Sequence, residues 1–268
     1  MAMPALGASV MVEADRSGLS PVHLPCNHVL RTQLMSPEEL SKRLEPIRAK
    51  RGYLLPHHGL LAVTSPHLLQ AYDRLYSVLA LDHKTLSVRD RELVWLAVLI
   101  ATDEALATHH IARFFDGGGS IAQFNSVLQL TASLKGVSAY RFVRTHWAGH
   151  LQALDLEQSY CDAIERAGQP LTPRDVWLCA LAVNAALGQF DAVRQALVAA
   201  YAHRIDEMDL AEALCIMMFP GSVPHYVEAA KVWMNLIRED HVPASPAFKA
   251  WARMDGQGGY DEALGQSA

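Results

Sequence analysis

Arg89-Asp90-Arg91-Glu92-Leu93-Val94-Trp95-Leu96-Ala97-Val98, followed by His109-His110 and by Gly117-Gly118-Gly119-Ser120, is the stretch on which the fold turns. Ser87 and Asp90 are cap-type residues ahead of a run of apolar side chains, which predicts a helix over about 89–101. The glycines stop a second helix, expected over about 104–116. Two helices joined by so short a turn fold back on one another. The hairpin therefore carries the Glu92 carboxylate toward an imidazole pair inside a segment otherwise built for burial.

The stretch recurs 85 positions later without its polar residues. Leu86, Arg89, Asp90, Leu93, Leu96, Ala97 and Val98 meet Leu171, Arg174, Asp175, Leu178, Leu181, Ala182 and Val183 without a gap, and Ser87 meets Thr172. A repeated capped helix is the mark of a duplicated helical unit. In the second copy Trp177 stands at the place of Glu92 and Gln195 at that of His110. One candidate site per chain is expected.

Working outward, Ser36-Pro37-Glu38-Glu39 starts a helix that runs to about Lys50, and 52–59, with His57-His58, reads as a loop. Ser65-Pro66 starts a helix whose face is Leu68, Leu69, Tyr72, Leu75, Tyr76 and Leu79. Further helices are expected over 120–134, 137–154 and 156–167. Alternating strand patterns with hairpin turns are missing, so the fold class is all-α. The expected organisation is a flexible arm over 1–35, one compact helical domain over 36–252, and a flexible tail over 253–268. Repeat one covers about 66–150 and repeat two about 153–239.

A net charge of -5 and the lack of any Lys/Arg block argue against a nucleic-acid or membrane-surface partner. The longest apolar runs, such as 93–101, are too short to span a bilayer. The first residues lack a basic n-region, so no secretory signal is expected. Cys26, Cys161, Cys179 and Cys215 form no CxxC pair, which fits a reduced, cytoplasmic protein in which Cys179 and Cys215 are expected to be buried structural thiols.

Arg91-Glu92-Leu93-Val94, His110, Gly118 and Ser120 together resemble the motif of the carboxymuconolactone decarboxylase and AhpD-like superfamily. Leu210-Ala211-Glu212-Ala213-Leu214 with Gly221, Val223-Pro224 and Trp233 resembles the end of a second copy, and the likeness covers about 66–238. The resemblance implies two tandem AhpD-like repeats about a pseudo-twofold axis. It also implies a homo-oligomer, trimer or hexamer, and a small acid or lactone substrate. Redox members carry CxxC before the histidine, and here those positions fall near Asp103 and Leu106. Without a thiol pair, disulfide exchange has no nucleophile. What remains resembles the decarboxylase branch, which works without metal or organic cofactor. A helical scaffold or regulatory module, or a lactone hydrolase or isomerase using the same residues, are the alternatives.

Glu92 and His110 are the candidate catalytic pair. On a helix, His110 shares a row with Leu106 and Phe114 and points inward, whereas His109 shares one with Ala105 and Arg113 and is expected to be more exposed. His109 and Arg113 are candidates to hold a substrate carboxylate. His57 and His58 are candidates for a pocket mouth. Trp95 and Trp147 could wall a pocket, although aromatics at helical spacing are more often core. His146 and His150 have a spacing that can bind a metal, but no carboxylate stands at a matching distance.

Overall fold

A computed structural model describes residues 35–82 and 84–265, and every element in it is helical. The expected N-terminal arm lies outside the described residues, apart from Met35. In chain order the helices are α1 (Pro37–Arg51), α2 (Pro56–Thr64), α3 (Pro66–Ala80), α4 (Val88–Ala101), α5 (His109–Asp116), α6 (Ile121–Lys135), α7 (Val137–His146), a 3-10 turn (Ala148–His150), α8 (Leu156–Ala167), α9 (Pro173–Ala186), α10 (Phe190–Ala202), α11 (Glu207–Ile216), α12 (Val223–Arg238), α13 (Pro246–Ala252) and α14 (Tyr260–Ala263).

α4 and α9 form the centre. Each is 14 residues long, and the first residues of the two stand 85 positions apart. A helix that is apolar all round must be surrounded. Residues 93–98 of α4 and 175–186 of α9 are buried on every face. The two pack closely, with Cys179 Sγ 3.9 Å from the Leu93 carbonyl. α5, α6 and α11 pack on α4, while α10, α11, α12 and α6 pack on α9.

At their N-termini the two central helices exchange charges. Arg89 reaches Asp175 at 2.7 Å, and Arg174 reaches Asp90 at 2.9 Å. Each aspartate also sits against its own cap, Asp90 N on Ser87 Oγ and Asp175 N on Thr172 Oγ1. Arg174 adds Asp209 at 2.7 Å. Glu212 of α11 accepts from the backbone N–H of both Thr85 and Leu86, which pins the entry to α4.

α1 and α2 make a smaller core of their own with α3, from Leu44, Ile47, Ala62 and Leu69. Five expectations meet a different outcome. Residues 56–59, expected to be loop, open the helix that runs to Thr64, because Pro56 is preset for a first turn and the His58 ring accepts from the Leu55 N–H. α3 is rotated relative to its predicted face: Leu69, Tyr76 and Leu79 are buried, whereas Leu68 and Leu75 are exposed. α5 starts at His109, five residues late, because Asp103 takes a left-handed turn (φ 57°) and the Glu104 carboxylate binds the Leu106 N–H. The helix expected over 137–154 ends at His146 and continues only as the 3-10 turn. Tyr260–Ala263, in the expected tail, forms a single helical turn.

The glycine run closes the hairpin. Gly118 is left-handed (φ 91°), and a Cβ on Gly119 would lie 2.4 Å from the Phe114 ring. Phe114 is fully buried one turn beyond His110, so this contact sets the depth of the α5 face that carries the imidazole.

Candidate active site

Glu92 is wholly buried in the first turns of α4, and His110 is 1% exposed at the start of α5. The hairpin brings His110 Nδ1 to 2.5 Å from Glu92 Oε2. A carboxylate only accepts, so Nδ1 carries the proton and Nε2 is the nitrogen left for a ligand. The Trp95 indole stacks on the His110 ring, with centroids 4.5 Å apart and planes at 23°. The other Glu92 oxygen has no hydrogen-bond partner, and Arg91 Nε stands 3.9 Å from it. Burial costs a carboxylate dearly unless it is paired, and here the imidazole is the partner.

His110 opens onto a cavity of about 220 Å³. His57, Trp95 and His109 line it, with Arg51 and Tyr53 from the α1–α2 end, Tyr72 and Tyr76 from α3, and Phe219 from the second half of the chain. The predicted residues distribute unevenly. Glu92, Arg113 and His58 do not line the cavity, whereas His57, His109 and His110 do.

His109 is half-buried rather than turned outward, because the segment after α1 folds over it. Its Nε2 lies 2.9 Å from the hydroxyls of both Tyr53 and Tyr76, and Tyr53 stacks on its ring at 4.5 Å. Burial, the neighbouring His110 and the guanidiniums of Arg113 and Arg51 push the His109 imidazole down to about 3. Arg113 is half-buried, and its Nη1 has no partner.

His57 faces the cavity with a buried Nε2 that lacks a partner. Burial, then Arg51, lowers its pKa. His58 is fully buried; its Nδ1 accepts from the Leu55 N–H at 2.9 Å, and Arg51 Nη1 stands 3.1 Å from its Nε2. Burial, His57 and Arg51 push it down to about 4, so it is a packing group and not a pocket mouth. Arg51 also binds Asp73 at 2.6 Å and lies 4.2 Å above the Tyr76 ring.

Arg51, Tyr53, Tyr76 and Phe219 were not singled out by sequence reading as site residues. The usable signal was the density of chemically able side chains in 51–58, between two helix starts. Phe219 carries no local signal, since only the fold brings 219 beside 72 and 76. Trp95 is both core and cavity wall, 2% exposed with an indole N–H that has no partner, whereas Trp147 is exposed. His146 ends α7 and His150 lies in the 3-10 turn, so the helical spacing that paired them is broken. Among the described residues no group of three or more His, Cys, Asp or Glu is placed to hold a metal ion.

At the matching place in the second half, Trp177 donates to Glu165 Oε1 at 3.2 Å, and His203 Nε2 lies 2.9 Å from the same oxygen. A cavity of about 690 Å³ there is lined by Cys161, Trp177, Arg194 and Gln195 among others. Burial and the carboxylates of Glu165, Asp162, Glu157 and Asp155 push the Cys161 thiol up to about 11, which leaves it a poor nucleophile. Among the described residues no helix is long and apolar enough to cross a membrane. Compared with known proteins, the chain matches no protein-family model and no curated protein.

Proposed function

We propose that the chain is a carboxymuconolactone decarboxylase-like lyase, acting on a small carboxylated lactone or related unsaturated acid by proton transfer. The observation that carries this reading is the Glu92–His110 contact of 2.5 Å, buried on one side and open through the imidazole to a cavity on the other. Loss of CO₂ beside an unsaturated carbonyl leaves an enolate that must be stabilised and then protonated at carbon. In its imidazolium form, with Nδ1–H held on Glu92, His110 gives the Nε2 proton to the enolate carbon and regains one from solvent, while Glu92 orients the ring and balances its charge. Arg51 and His57 on the cavity wall supply positive charge or a donor for the departing carboxylate. Arg113 acts through its charge on His109.

The same reading takes the two halves as copies of one AhpD-like unit, the second having exchanged its Glu and His for Trp177 and Gln195. Reciprocal pairing of Arg89 with Asp175 and Arg174 with Asp90 supports a pseudo-twofold relation. It further takes the protein as a cytoplasmic homo-oligomer, trimer or hexamer. Leu68 and Leu75, apolar and exposed on one helix, support an interface between copies.

The test is a screen of carboxylated lactones for released CO₂ with the full chain. Release that is abolished in His110→Ala supports the reading. Turnover of lactones by ring opening, with no CO₂, replaces it with the hydrolase reading.

A further inference from the structure

Both tyrosine hydroxyls beside His109 lie 2.9 Å from one nitrogen, and 3.4 Å from each other. A neutral imidazole nitrogen that accepts has a single lone pair. One hydroxyl proton fills it. The second hydroxyl finds only its neighbour's oxygen, at a separation well beyond the usual O–H···O distance of about 2.7–2.8 Å. One O–H is therefore left over at the edge of the cavity that both tyrosines line.

We propose that Tyr53 and Tyr76, set by His109, form a hydroxyl subsite that binds the oxyanion of a planar enol or phenol. The acceptor role of His109 follows from its surroundings. Burial, His110 and the two arginines disfavour its charged form, so the ring is neutral; with its one proton on Nδ1, Nε2 accepts a hydrogen bond from one tyrosine and does not compete for the ligand. Tyr53 keeps its proton, because burial raises its pKa. Arg51 lies over the Tyr76 ring at 4.2 Å, and a cation on a phenol face makes its O–H the stronger donor.

Size and walls define the rest of the ligand. An apolar cavity of about 150 Å³ admits a benzene ring. The space here is about 220 Å³ and lies between Tyr72, Trp95 and Phe219. It fits one substituted planar ring. This subsite extends the proton-transfer reading by naming the group that meets the ligand's oxygen, and it rests on that reading only for its place in a reaction.

The probe is 4-nitrophenol, whose absorbance distinguishes phenol from phenolate, titrated with the full chain near the probe's own pKa. Binding should draw the probe toward phenolate. Tyr53→Phe and Tyr76→Phe should each weaken phenolate binding about tenfold or more, the loss for one hydrogen bond to a charged group. Tyr226→Phe, which lies outside the cavity lining, should leave it unchanged. A bound probe that stays neutral, an absence of binding at millimolar probe, or Phe variants that bind phenolate as tightly as the parent would each overturn the subsite. If Tyr76→Phe loses its near-ultraviolet circular dichroism, Tyr53→Phe alone decides. Phenolate binding without CO₂ release removes the decarboxylase reading and keeps the subsite. CO₂ release with hydroxyl-independent binding removes the subsite and keeps the lyase.

Discussion

At the scale of single residues, the Glu92–His110 pair is the sharpest feature. If the two act as one unit, His110→Ala and Glu92→Gln should each cut turnover about 100-fold or more, and the double variant should be little worse than either. Steady-state rates on any substrate found in the screen check this. Wild-type rates in both folded single variants would make the contact structural. The neighbouring histidines give a second, pH-based expectation. His58 and His109 titrate in the folded chain at about 4 and about 3, against 6.5 when unfolded, and His57 is lowered as well. Between those values the unfolded chain binds more protons, so stability rises with pH through that window. The stability they contribute is fully present above 6.5 and is lost as pH falls toward 3. Melting temperatures should drop on going from pH 7 to pH 5, and His58→Gln or His109→Gln should flatten the dependence. An unchanged pH profile in both would show that these rings are not the source.

At the scale of elements, two substitutions separate what is costly from what is not. Asp175 is 2% exposed, pairs with Arg89 and receives the Thr172 backbone N–H. Removing one partner of a buried pair strands the other, so Asp175→Ala should cost about 3–5 kcal/mol. Arg43 and Glu39 form an exposed i,i+4 pair at 2.8 Å, and Glu39→Ala should cost under about 1 kcal/mol. Gly119→Ala forces a methyl into the Phe114 ring and should cost about 1–3 kcal/mol, while tilting α5 enough to lower turnover in the folded remainder. Urea melts and rates on the same samples check all three. The elements were mostly legible in the sequence, because caps and apolar periodicity are local. Ser36, Ser87 and Thr172 all cap as read. One misreading fell where a local choice was settled by non-local contacts, another where a single residue leaves the regular path. The 56–64 helix is covered by its own small core with α1 and α3, and α5 loses its first turn to a left-handed Asp103 that no periodicity announces. The site was half legible for the same reason: Glu92 and His110 lie on one hairpin, whereas Tyr53, Tyr76 and Phe219 meet them only through the fold of the whole chain.

At the scale of the molecule, the exposed apolar side chains of α3, joined by Leu60 and Val63 of α2, bear on assembly. Sedimentation at micromolar concentration should give an oligomer, and Leu68→Glu with Leu75→Glu should shift it toward monomer without unfolding the chain. A monomer in the unsubstituted protein removes that part of the reading. The charge exchange between α4 and α9 has a further consequence. Each central helix has its first turn completed by an arginine from the other half of the chain, and each is wrapped by helices drawn from both halves. Neither half is then a self-sufficient folding unit. A chain severed in the exposed stretch 151–155 would yield two pieces, each with a central helix whose face toward the other half is bare. Apart, they should aggregate. Mixed during refolding, they should rebuild a soluble heterodimer, held by the same two crossed ion pairs that now lie within one polypeptide.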